Sequence, residues 1–168
     1  MKETVNVLVV CTGNICRSPM GEQLLREVFD GDAGVVVDSA GVSSEEQGNP
    51  VDRRANAALR KGGHGTIRHT ARRVRRDDFE NSDLILAMTS RHYRTLRRWA
   101  QDAGVDPDKV RMWREFDPSM PELGDGVSES DLDVDDPWYG VASDFDRTLE
   151  ELEAGLDGIQ EHVRELRA

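Results

Sequence analysis

A chain of 168 residues is long enough to bury a core and fits one domain spanning 1–168. Charged residues make up 33% of it, and no apolar run nears the ~20 residues of a membrane span, so a membrane role is excluded. A net charge of −11 repels phosphate backbones, so nucleic acid is not expected as a partner. The first residues lack the pattern of a secretion signal, so a cytoplasmic protein is expected.

Residues 6–11 (NVLVVC) predict a buried parallel strand, too short for a helix. Met20, Leu24, Leu25, Val28 and Phe29 then share one helical face. Residues 34–38 (GVVVD) read as a second strand, and 52–61 as a helix closed by Gly62 and Gly63. A third strand is expected over 83–88, a helix over 91–100 and a fourth strand over 109–113. Phe145, Leu149, Leu152, Leu156, Ile159, Val163 and Leu166 recur at spacings of four and three, which predicts one long final helix. Strands alternating with helices imply a three-layer α/β/α sandwich around a four-stranded parallel sheet. Residues 117–140 carry no period; a loop of that length is functional or disordered.

The chemistry concentrates in residues 10–19, VCTGNICRSP. This stretch follows a strand and opens a helix, where backbone amides and the helix dipole favour an anion. Thr12, Gly13, Asn14, Ile15, Cys16, Arg17 and Ser18 would form a phosphate-binding loop. Gly13 and Asn14 tolerate the left-handed angles that curl successive amides into a nest. Arg17, six residues after Cys11, can reach back and clasp two phosphate oxygens with its planar fork. Pro19 suits the first helical turn. A cysteine in such a positive ring favours its thiolate, which is the nucleophile. Cys11 and Cys16 are the only cysteines, too close together to staple a fold. No second Cys or His pair stands at zinc-ligand spacing, and no metal or cofactor is expected.

The loop resembles the signature of low-molecular-weight protein tyrosine phosphatases of bacterial type. The resemblance continues through residues 37–41 (VDSAG), 48–55 (GNPVDRRA), 69–72 (HTAR) and 136–140 (DPWYG). It implies a two-step displacement in which Cys11 attacks phosphorus, Arg17 holds the equatorial oxygens and Asp136 is general acid and then base. It also implies that Asn14, Ser39 and His69 brace the loop and that Trp138 and Tyr139 wall the substrate slot. Asp135 is adjacent and chemically identical, but the family pattern places the acid immediately before Pro.

The second wall departs from the pattern, because Glu45 stands where many members carry an aromatic residue. A bacterial subgroup acting on tyrosine kinases of exopolysaccharide synthesis also lacks that residue, which makes such a kinase a candidate phosphotyrosine substrate. Ile15 is typical of tyrosine phosphatases, whereas relatives acting on phosphoarginine tend to have Thr there. The expected activity is therefore hydrolysis of phosphotyrosine, with phosphoarginine as the alternative. An arsenate reductase would need further cysteines, and a non-catalytic phosphate-binding module would not keep Cys11, Arg17, Ser18 and Asp136 together. Cys16 reads either as packing beneath the loop or as a partner for oxidised Cys11. His64, His92 and His162 are expected at the surface, and Trp99 and Trp113 in packing roles.

Overall fold

The structure, a computed structural model, describes residues 2–124 and 126–168; Met1 and Asp125, the latter within the loop 117–140, lie outside them. Four strands, β1 (Val5–Cys11), β2 (Val35–Gly41), β3 (Leu84–Ala87) and β4 (Val110–Met112), form one sheet in the order β2-β1-β3-β4. All three pairings are parallel. The sheet is the expected one, with β2 running three residues further, through Ser39, Ala40 and Gly41, and β4 shorter at both ends.

β1 is apolar on both faces, as a central parallel strand must be. Val5, Val7, Val9 and Cys11 point into one core, shared with α1 (Arg17–Val28), α2 (Arg53–Lys61), α5 (Ala142–Glu153) and α6 (Leu156–Arg167). Leu8 and Val10 point into the other, against α3 (Arg76–Asn81) and α4 (Ser90–Asp102). The three-layer α/β/α sandwich follows from that alternation.

One helix was not expected, and one expectation about helices is corrected. The helix α3 is not visible in the hydrophobic period, because six residues carry only one buried side chain, Phe79. It is held by its start, where Asp78 accepts a hydrogen bond from the Arg75 backbone amide at 2.7 Å. The long final helix is in fact two, α5 and α6, parted at Ala154 and Gly155. Trp113, fully buried, donates its indole Nε1–H to the Leu152 carbonyl at 3.0 Å, drawing on an acceptor the continuing helix would use. A side chain at Gly155 would lie 2.9 Å from that indole nitrogen, so only glycine lets the ring in.

His64 lies at the surface as expected, but it ties three elements together. Its Nδ1 is 2.9 Å from Glu27 of α1 and its Nε2 is 3.0 Å from Glu153 of α5, just beyond the end of α2. Partial burial works against its charge, yet the two carboxylates outweigh that and raise its pKa. A raised folded-state pKa gives stability that is fully present below the unfolded value of about 6.5 and lost as pH rises through the folded value. Thermal melts should therefore show Tm falling from pH 6.5 upward, with a shallower fall in His64→Gln. Equal slopes in both proteins would remove His64 from this account.

Candidate active site

Parallel α/β sheets collect ligands outside the carboxyl ends of their strands, and β1 ends there in Cys11. The loop that follows is fixed on every side by backbone bonds. Val42 N–H donates to the Cys11 carbonyl and Ser43 N–H to that of Thr12, each at 3.0 Å. Asp52 N–H donates to the Ile15 carbonyl at 2.8 Å. Gly41 must be glycine here, since a Cβ would lie 2.5 Å from the Thr12 carbonyl oxygen. Asn14 is the only non-glycine described with a left-handed backbone, φ 61°. Gly13 does not share that conformation, which corrects the expectation for it. Its small size serves contact instead, because a Cβ would sit 3.1 Å from Glu46 Cγ.

Asn14 uses its side chain to organise the loop from beneath. Its Nδ2 donates to Ser18 Oγ at 2.8 Å and to Ser39 Oγ at 3.0 Å. Its Oδ1 accepts from His69 Nε2 at 2.7 Å and from the Arg72 backbone amide at 3.1 Å. Ser18 Oγ, already an acceptor, lies 3.0 Å from Cys11 Sγ and can point its proton at the sulfur. Ser39 in turn donates to Glu22 Oε1 at 2.6 Å. Glu22 is 1% exposed, and burial raises its carboxyl pKa against the opposing effects of Ser39 and Arg26. Asp38 approaches Glu22 and His69, but Arg26 pairs with Glu22 and Arg72 with Asp38. The residues expected to brace the loop are thus joined by a buried carboxylate that the sequence reading passed over.

Arg17 is 3% exposed and occupies the floor of the pocket. Its Nη1 donates to the Val134 carbonyl at 2.8 Å and its Nη2 reaches Thr12 Oγ1 at 3.4 Å. Its Nε–H is buried without a partner among the described residues. Asp136 Oδ2 stands 3.5 Å from Arg17 Nη2. The loop carrying Asp136 is anchored just before it: Leu132 and Val134 are fully buried, Val134 N–H donates to the Met88 carbonyl, and Ser90 N–H donates to Asp133 Oδ1. Asp135 faces a different depression, so only Asp136 of the adjacent pair lines the pocket with Cys11.

The pocket holds about 160 Å³, and its lining includes Ile15, Trp138, Tyr139, Glu45 and Glu46. The two aromatic rings meet edge to face, 4.8 Å apart. Glu46 was not foreseen in this wall; it lies one residue beyond Glu45. Cys16 is buried, and burial followed by the nearby Asp52 carboxylate holds its thiol far above the ordinary range. Asp52 itself stays below the usual carboxylate range, because hydrogen bonds from Arg54 outweigh its burial.

One expectation about this region fails outright. His92 is not at the surface: it is 2% exposed, in the first turn of α4, with Nε2 2.7 Å from Thr12 Oγ1. The available signal was positional, since a helix start just after a parallel strand faces the ligand side of the sheet. His162 stays partly exposed, packed on Phe116 with ring centroids 5.3 Å apart.

Fold and site together define a class: a parallel α/β protein whose first strand ends in a buried thiol at the floor of a pocket. Residues 6–168 match the family described as low molecular weight phosphotyrosine protein phosphatase, and the chain belongs to that family. It is 41% identical over 166 residues to the low molecular weight protein-tyrosine-phosphatase of Streptomyces coelicolor, covering 96% of this chain and 95% of that one. Identity to the low molecular weight protein-tyrosine phosphatase A of Mycobacterium tuberculosis is 39% over 169 residues, covering 98% and 95%. Among solved structures, a protein tyrosine phosphatase from Entamoeba histolytica aligns with TM-score 0.82 at 26% identity, covering 98% of this chain and all of that one. The YwlE arginine phosphatase of Geobacillus stearothermophilus aligns with TM-score 0.76 at 28% identity, covering 97% and 95%. The chain is accordingly a phosphatase, a hydrolase.

Proposed function

We propose that the chain hydrolyses phosphotyrosine in proteins through a cysteinyl-phosphate intermediate on Cys11. The observation that carries this reading is the single pocket lined by Cys11, Arg17 and Asp136 together with the rings of Trp138 and Tyr139. Cys11 Sγ forms a bond to phosphorus as the phosphorus–phenol oxygen bond breaks, and Asp136 gives its proton to the departing oxygen. Water then attacks phosphorus, Asp136 takes its proton, the sulfur–phosphorus bond breaks, and phosphate leaves. Loop amides and Arg17 hold the equatorial oxygens, which suits a reaction governed by positioning and charge stabilisation. Ser18 supports the sulfur, while Asn14, Ser39 and His69 hold the loop. Ile15, Trp138 and Tyr139 favour a flat aromatic leaving group. Free Cys11 and Cys16 fit a reducing compartment, hence the cytoplasm, and a phosphorylated bacterial tyrosine kinase fits as substrate.

A second reading has one observation in its favour. Glu45 and Glu46 put carboxylates on the pocket wall, where they can face the cationic nitrogen group of phosphoarginine. The chemistry at Cys11 would be unchanged.

The deciding experiment is phosphate release in EDTA, comparing kcat/KM on phosphotyrosine and phosphoarginine peptides. Preference for phosphotyrosine is expected, with kcat lowered roughly 10²- to 10⁴-fold in Asp136→Ala. Preference for phosphoarginine would hand the site to the second reading. Turnover of neither would defeat both.

A further inference from the structure

His92 and Thr12 form a pair for which the scheme above has no use. The ring of His92 is buried beside the loop, its Nε2 2.7 Å from Thr12 Oγ1, and its Nδ1 has no partner among the described residues. Burial, then the charges of Arg17 and Arg91, push its pKa down to about 3, so the ring is neutral and carries a single N–H. Two tautomers are available. With the proton on Nδ1, a buried N–H would be left with no acceptor; with the proton on Nε2, only a lone pair is left over. Orphaned buried donors are the rarer of the two in folded proteins. The Nε2–H tautomer is therefore favoured, and it donates to Thr12 Oγ1.

That choice fixes the threonine. A hydroxyl has two acceptor positions and one donor. Both acceptor positions of Thr12 then face protein donors, His92 Nε2–H and, at 3.4 Å, Arg17 Nη2. Only the proton is left to spend, and Thr12 is exposed on the wall of the pocket that holds Cys11.

We propose that His92 is a positioning residue that turns the Thr12 hydroxyl outward, making Thr12 a side-chain hydrogen-bond donor to the phosphoryl oxygens in the pocket. The identity of that oxyanion rests on the phosphatase reading; the orientation of the hydroxyl does not. The loop would thus add a hydroxyl donor to its amides and guanidinium.

Two measurements on the full chain test this. Imidazole ¹⁵N shifts should report a neutral His92 with its proton on Nε2 from pH 5 to 8. Inorganic phosphate, titrated directly, should bind about 5- to 10-fold more weakly to His92→Leu and to Thr12→Val, the loss of one hydrogen bond. The double variant should be no weaker than either single one, and Thr12→Ser should bind as the parent does. Thr12 is exposed, so its variants keep the test valid if His92→Leu fails to fold. A proton on Nδ1, additive losses, or unchanged phosphate affinity in Thr12→Val would each overturn the proposal. Because binding is read without turnover, a protein that binds phosphate as described yet hydrolyses neither phosphopeptide would defeat the phosphatase reading alone.

Discussion

The Cys11→Ser variant should hydrolyse phosphotyrosine on the order of 10⁴-fold more slowly than the parent, or worse, while still binding inorganic phosphate. Sulfur matters here because it is an intrinsically far stronger nucleophile toward phosphorus than a serine hydroxyl. Of the loop's side-chain bonds only the 3.0 Å contact with Ser18 Oγ involves the sulfur, and a serine oxygen can take it. Asn14 keeps its bonds to Ser18 and Ser39, and Arg17 keeps Val134. Binding and chemistry should therefore separate: single-turnover assays and direct phosphate titration would show loss of one with retention of the other. Residual turnover within tenfold of the parent would mean that Cys11 is not the nucleophile.

Arg17→Lys is the second large effect, and the more informative about geometry. The guanidinium uses Nη1 on the Val134 carbonyl, approaches Thr12 and Asp136 with Nη2, and keeps Nε free. A lysine supplies one point charge with no fork, so it can serve the loop or the phosphate but not both. Losing a preorganised donor from such a site lowers kcat by about 10²–10³-fold. The Val134 carbonyl would also lose its partner, at about 1–3 kcal/mol, and with it one of the bonds holding the loop that carries Asp136. A combined fall in kcat and in Tm is the expected pattern. A rise in KM at unchanged kcat would mean that Arg17 binds the ground state and the transition state equally.

How far the sequence could be read depended on how local each signal was. The sheet was legible because β1 and β3 are short apolar runs with no helical period, and the cradle because residues 11–18 are contiguous. The break between α5 and α6 was invisible, since the side chain that causes it, Trp113, comes from some forty positions upstream and acts on a carbonyl. Glu22 and His92 escaped for the same reason. A glutamate inside an amphipathic helix and a histidine near a helix start read as solvated until tertiary packing removes the water. Gly13 shows the reverse error: a residue that permits a left-handed angle need not adopt one, and here its role is to leave room for Glu46.

The indole that divides the final helix also gives the molecule a set of built-in optical reporters. Trp113 is fully buried with its N–H bonded, so its emission should lie to the blue and follow unfolding. Trp138 is 44% exposed at the pocket rim, where its emission reports occupancy. Trp99 is partly exposed beneath the Arg73 guanidinium, 5.2 Å from its ring centroid, in a cationic environment of its own. The three tryptophans of this chain thus stand in three different environments, and ligand docking should be separable from loss of the core with no added label.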